Sequence, residues 1–120
     1  MRDLPTWLAF AQGVYFALTG LWPLVSIDTF MRVTGPKRDI WLVKTVGVIV
    51  LAIGAVLVVA GARDAVTPEI YLLASTSAAG LAGIDIYYVT KGTIDRIYLA
   101  DAAAELILVA LWAVSWFTRG

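Results

Sequence analysis

Residues 40–62 read IWLVKTVGVIVLAIGAVLVVAGA, an apolar run carrying one formal charge, Lys44. About 20 predominantly apolar residues in helical form cross the hydrocarbon of a bilayer, so this stretch decides the fold: it is a membrane span. Three comparable runs surround it. Leu4 to Ile27 contains no formal charge, Ile70 to Thr90 contains Asp85, and Ile97 to Thr118 contains Asp101 and Glu105. The connections between them are short and rich in breakers. Asp28 to Asp39 holds Arg32, Gly35, Pro36, Lys37 and Arg38. Arg63 to Glu69 contains Pro68, placed where proline opens a helix. Lys91 to Arg96 offers Gly92 as a helix terminator and Asp95 or Thr93 as an N-cap. Loops this short turn each span antiparallel to the one before. The expectation is an all-α, integral membrane, up-down bundle of four transmembrane helices, with residues 1–120 forming one transmembrane domain.

Composition agrees. Of 120 residues, 61% are apolar and 15% charged, with a mean hydropathy of +0.86. A soluble domain keeps roughly 25% charged residues, so there is too little polar surface here to wrap a particle in water. Nine basic residues balance nine acidic ones, which gives no pull toward nucleic acid. The chain has no Cys and no His. Disulfides, thiolate chemistry, histidine proton shuttling and metal ligation through these residues are therefore excluded; no metal and no cofactor are expected. The first run is long enough to span, and no A-x-A-like site follows it, which argues against a cleaved secretory signal. Trp7, Trp22, Trp41, Trp112 and Trp116 fall near span ends, where interfacial indoles belong.

Small residues recur at packing intervals: Ala9, Gly13 and Ala17 in the first span, Gly47, Gly54 and Gly61 in the second, Ala79 and Gly83 in the third. Ordinary packing within the bundle is the simpler reading than a dimer motif, although a homo-oligomer is compatible with it. Gln12 in the first span is read as a helix–helix hydrogen bond. Basic residues are more numerous in loops 28–39 and 91–96 than on the opposite side, and the positive-inside rule then puts these loops in the cytoplasm and both termini outside. The basic segment 34–39 reads as a topology determinant ahead of a contact with anionic lipid.

A charge inside a span costs roughly 2.5–3.5 kcal/mol at the helix centre on insertion scales, so the positions of the four buried charges are informative. Lys44, Asp85 and Asp101 all lie roughly 6–8 Å in from the side of loops one and three, and Glu105 about 12 Å in, at 1.5 Å per residue. Asp101 and Glu105, four positions apart, share a helix face. Tyr88 and Tyr98 stand one turn from Asp85 and Asp101, and the first span offers Tyr15, Thr19 and Trp22 at similar depth. Together they outline a half-bundle pocket open toward one aqueous face, with Lys44, Asp85, Tyr88, Tyr98, Asp101 and Glu105 as candidate ligand-binding residues. In the bland alternative, Lys44 pairs with Asp85 or Asp101 to fix helix register, or Lys44 and the shallow Asp101 extend to the interface. Stoichiometry weighs against it: one Lys cannot neutralise three acids. One carboxyl group, Glu105 first, is expected to be protonated, hydrated or matched by a cationic ligand.

Two stretches carry a resemblance: Trp41 to Gly47 followed by Gly54, and Gly83-Ile84-Asp85-Ile86-Tyr87-Tyr88 followed by Tyr98-Leu99-Ala100-Asp101 and Glu105. They resemble small bacterial four-helix membrane proteins of the broad DoxX-like type, which implies a bacterial inner membrane. Some relatives of that type are linked to quinone or thiol redox chemistry; without a Cys the thiol version is not carried over. In architecture the chain is also similar to EXPERA-type proteins, four-helix bundles that hold acidic residues in a pocket for amphipathic cations or sterol-like molecules. That likeness implies the acidic role for Asp85, Asp101 and Glu105, while the histidine of the isomerase members is missing.

Three functions compete. The first is a protein binding or carrying a lipid-like or amphipathic cationic small molecule. The second is a membrane enzyme using carboxylate acid/base chemistry on a hydrophobic substrate, and the third is an accessory subunit of a larger complex. Small four-helix multidrug exporters place their essential Glu in the first span, which has no acid here. No phosphate loop, nucleophile elbow or dinucleotide motif occurs. Binding or transport is favoured, with membrane lipid and a hydrophobic or cationic small molecule as the partners.

Overall fold

The computed structural model describes residues 3–118. Its helices are α1 (Asp3–Val25), α2 (Ile27–Thr34), α3 (Ile40–Ala62), α4 (Pro68–Thr90) and α5 (Tyr98–Thr118). α1, α3, α4 and α5 are each long and apolar enough to cross a membrane. An all-α integral membrane bundle is the result. Pro68 does open α4, preceded by Thr67, whose hydroxyl accepts from the Ile70 N–H at 3.4 Å. Gly92 follows α4 with φ +73°, a conformation that costs glycine no Cβ clash. Asp95 takes the N–H of Ile97 at 2.9 Å just before α5.

The first connection is not a plain loop. α1 stops beyond Pro23, and Ser26 caps a separate amphipathic helix, its hydroxyl accepting from the Thr29 N–H at 3.4 Å. Ile27, Phe30, Met31 and Thr34 recur at helical spacing and form one face of α2. Trp22 holds α2 against α1: its indole N–H donates to the Thr29 hydroxyl at 3.0 Å and its ring meets Phe30 edge-on at 5.3 Å.

The spans associate as two unequal pairs. α1 and α3 pack backbone against backbone. A Cβ added to Gly54 would lie 2.5 Å from the Ala17 nitrogen and 2.7 Å from the Gly13 carbonyl, so only glycine permits this approach. α4 and α5 pair through side chains instead: Tyr71 and Ser115 share a 2.6 Å hydrogen bond, and the Tyr71 ring meets Trp112 and Trp116 at 5.0 and 5.1 Å. Gln12 joins the pairs, donating to the Ala74 carbonyl at 2.9 Å and accepting from the Trp112 indole at 2.7 Å. The reading of Gln12 as a helix–helix hydrogen bond therefore holds.

Two expectations need correction. Trp112 is buried beside Gln12 rather than seated at an interface. Ala79 and Gly83 face outward, and an added Cβ on Gly83 meets nothing within 4 Å, so this stripe packs against no other span. α3 leans only on α1 for most of its length and hardly touches α5, which makes the bundle flat, 47 × 28 × 18 Å between Cα atoms. The outer faces are apolar, as hydrocarbon requires; on α3, Val48, Ile49, Val56 and Val59 all point outward.

Candidate ligand cavity

The gap between α3 and α5, backed by α1, encloses a cavity of about 500 Å³ in the half of the bundle nearest loops one and three. Its acids are aimed by packing farther down the helices. On α5, Trp112 and Ser115 are locked to Gln12 and Tyr71, which fixes the rotation of the helix, and Glu105 lies on the same face two turns before Trp112. On α4, Ala74, Ala78 and Ala82 form a buried stripe of small residues that continues into Asp85. Tyr15 on α1, one turn past Gln12, donates its phenolic proton to Asp101 Oδ1. Asp85 stands at hydrogen-bonding range of Asp101, with Glu105 close to the pair.

The result is an acidic floor under apolar walls made by residues such as Phe16, Val50 and Leu81. Glu105 is 0% exposed and neither of its side-chain oxygens has a hydrogen-bond partner; Asp85 is 5% exposed and its Oδ2 is likewise unpartnered. Polar atoms buried without a partner carry a desolvation cost of about 1–3 kcal/mol each, more when charged. An occupant with donors or positive charge would remove that cost. Among the described residues no group of three or more potential ligating side chains is arranged to hold a metal ion.

Four of the six residues singled out from the sequence line this cavity: Asp85, Tyr98, Asp101 and Glu105. Tyr15, Thr19 and Trp22 join them. Lys44 does not. It is exposed on the outside of α3, and its neighbour Val43 takes the inward position. Each residue turns a helix by roughly 100°, and Val43 lies one turn before Gly47 on the stripe that packs against α1. Tyr88 is also outside, stacked edge-on against Tyr87 at 5.0 Å on the exposed side of α4.

The cation at the cavity is Lys37, in the segment that joins α2 to α3. Its ammonium donates to the Thr34 carbonyl at 2.9 Å, the Gly35 carbonyl at 2.9 Å and the Thr34 hydroxyl at 3.3 Å. It also lies 5.2 Å from the centre of the Tyr98 ring and 5.9 Å from that of Phe30, within cation–π range. Lys37 thereby ties the end of α2 to the start of α5. α2, Thr34 and Lys37 roof the cavity on the side expected to be open to water. The wall is incomplete laterally, where the lining residues Leu42 and Val46 of α3 and Ile97 beside α5 are also exposed on the outer surface, and at the edge of the roof, where Val33 of α2 is exposed as well.

Compared with known proteins, the chain matches no protein-family model, no curated protein and no solved structure.

Proposed function

We propose that this integral membrane protein binds, and carries within the bilayer, an amphipathic small molecule with a cationic head. The observation that supports this reading most directly is Glu105: fully buried, facing the cavity, with both oxygens unpartnered. Lys37 does not serve as its counter-ion, because the ammonium is already engaged by loop carbonyls and two rings at the roof. The head of the ligand would sit on the floor formed by Asp85, Asp101 and Glu105, and its apolar body against the walls. On the charge asymmetry of the loops and the DoxX-like resemblance, we place the chain in a bacterial inner membrane with residues 28–39 and 91–96 on the cytoplasmic side.

The test compares dodecylamine with dodecanol, equal in chain length and different in charge, on the full chain in lipid nanodiscs. Trp22 lines the cavity, so the part of the five-tryptophan emission change that Trp22→Phe removes reports occupancy. Wild type is expected to bind the amine at least ten times more tightly than the alcohol. The double variant Asp85→Asn with Glu105→Gln is expected to lose that preference. Equal affinity of wild type for amine and alcohol would overturn the reading.

A further inference from the structure

The floor of the cavity offers two separate anionic stations rather than one. The upper station is the Asp85–Asp101 pair. The two carboxyl groups stand at hydrogen-bonding range of each other and act as one acidic station. Asp101 is further occupied by the Tyr15 hydroxyl, which leaves Asp85 Oδ2 as the unpartnered acceptor. The lower station is Glu105, with Oε1 and Oε2 both unpartnered. Asp101 and Glu105 are four residues apart on α5, which separates the stations by about 6 Å along the helix axis. A single ammonium seated at one station leaves the other buried and unmatched, which is the costly arrangement.

Resting on the proposed function, we infer that the ligand carries two amino groups joined by a three- or four-carbon spacer, attached to a hydrophobic body. An extended spacer of that length sets its nitrogens about as far apart as the two stations. Two acidic stations, one at the upper pair and one at Glu105, match a ligand with two amino groups. A bare metal ion is a poorer match: among the described residues no three acidic side chains are grouped to hold one, and the cavity is far larger than an ion. The walls are apolar over most of their extent, so a small hydrophilic diamine would leave them unfilled; an alkyl chain running out between α3 and α5 would cover them.

The experiment uses the full chain in nanodiscs with dodecylamine, N-dodecyl-1,3-diaminopropane, N-dodecyl-1,4-diaminobutane, N-dodecyl-1,8-diaminooctane and dodecanol, again read by tryptophan fluorescence. The three- and four-carbon diamines are expected to bind at least ten-fold more tightly than dodecylamine and the eight-carbon diamine. In Glu105→Gln the ratio of short-diamine to monoamine affinity should collapse toward one. Asp85→Asn, at the other station, should collapse the same ratio and supplies the test if the first variant does not fold. Equal affinity of wild type for monoamine and short diamines overturns this inference but leaves the cationic ligand standing. So does a diamine advantage that survives both substitutions. If no amine exceeds dodecanol, the inference and the proposed function fall together.

Discussion

Gln12 commits both ends of its amide to other helices, one to the Ala74 carbonyl and one to the Trp112 indole. Interhelical hydrogen bonds in membranes contribute about 0.6 kcal/mol on average and up to about 1.7. Gln12→Leu also strands the buried indole N–H. We expect a loss of about 1–2 kcal/mol, seen as a lower melting temperature in detergent. Equal stability of wild type and the Leu variant would remove Gln12 as the link between the pairs. At this scale the sequence is informative about depth and poor about direction. Counting residues from the span ends places Asp85, Asp101 and Glu105 in one leaflet, and the structure brings them to one cavity. The same count cannot say which way Lys44 points. The phase was present in Gly47, Gly54 and Gly61: extended one turn back, their stripe meets Val43, not Lys44.

Glycine does opposite work in α3 and α4. On α3 it is the contact itself, so Gly54→Leu should drive the α1–α3 pair apart at a cost of about 3 kcal/mol or more, given the 2.5 Å approach to Ala17. On α4, Gly83 faces open space, and Gly83→Ala should leave stability unchanged or raise it by up to about 1 kcal/mol, the helix-propensity difference. Thermal melts of the two variants in one detergent decide the matter; a penalty for Gly83→Ala comparable to that of Gly54→Leu would mean α4 is covered by something. Spacing alone could not separate these stripes, because both read as small residues at close intervals. α2 was hidden for another reason. At eight residues, with Asp28 and Arg32 inside it, it is too short and too charged to register as a span. Its signature is the Ser26 cap and the Ile27, Phe30, Met31, Thr34 face. Lys37 was missed with it, since a roof is visible only once there is a helix to build it.

The topology of the whole molecule puts loops one and three side by side: a Cβ added to Gly35 would come within 3.5 Å of the Asp95 side chain. An even number of spans then returns both ends of the described chain to the other face. Asp3→Cys and Thr118→Cys, each in an otherwise cysteine-free chain, should react with a membrane-impermeant maleimide from one side, and Arg38→Cys from the other. Labelling of positions 3 and 118 from opposite sides would break the four-span arrangement and, with it, the gathering of the acids. Hydropathy made this much legible, because a bilayer admits few ways of satisfying backbone hydrogen bonds. The flattening of the bundle was not legible: it arises from how tightly the α1–α3 glycines close, and that closeness leaves α3 out of reach of α5.

That separation also decides which concentration governs occupancy. With the roof held by Lys37 and the side wall incomplete toward lipid, the solvent from which an occupant is drawn is the leaflet. Saturation should then follow the mole fraction of amine per lipid, not its molarity in the buffer. Doubling the lipid at fixed protein should raise the titration midpoint, expressed as total amine, by about a factor of two, as partition dilutes the pool. Two amphiphiles of equal intrinsic affinity would show aqueous midpoints that differ by their partition coefficients, so tail length would masquerade as recognition unless titrations are plotted on the membrane scale.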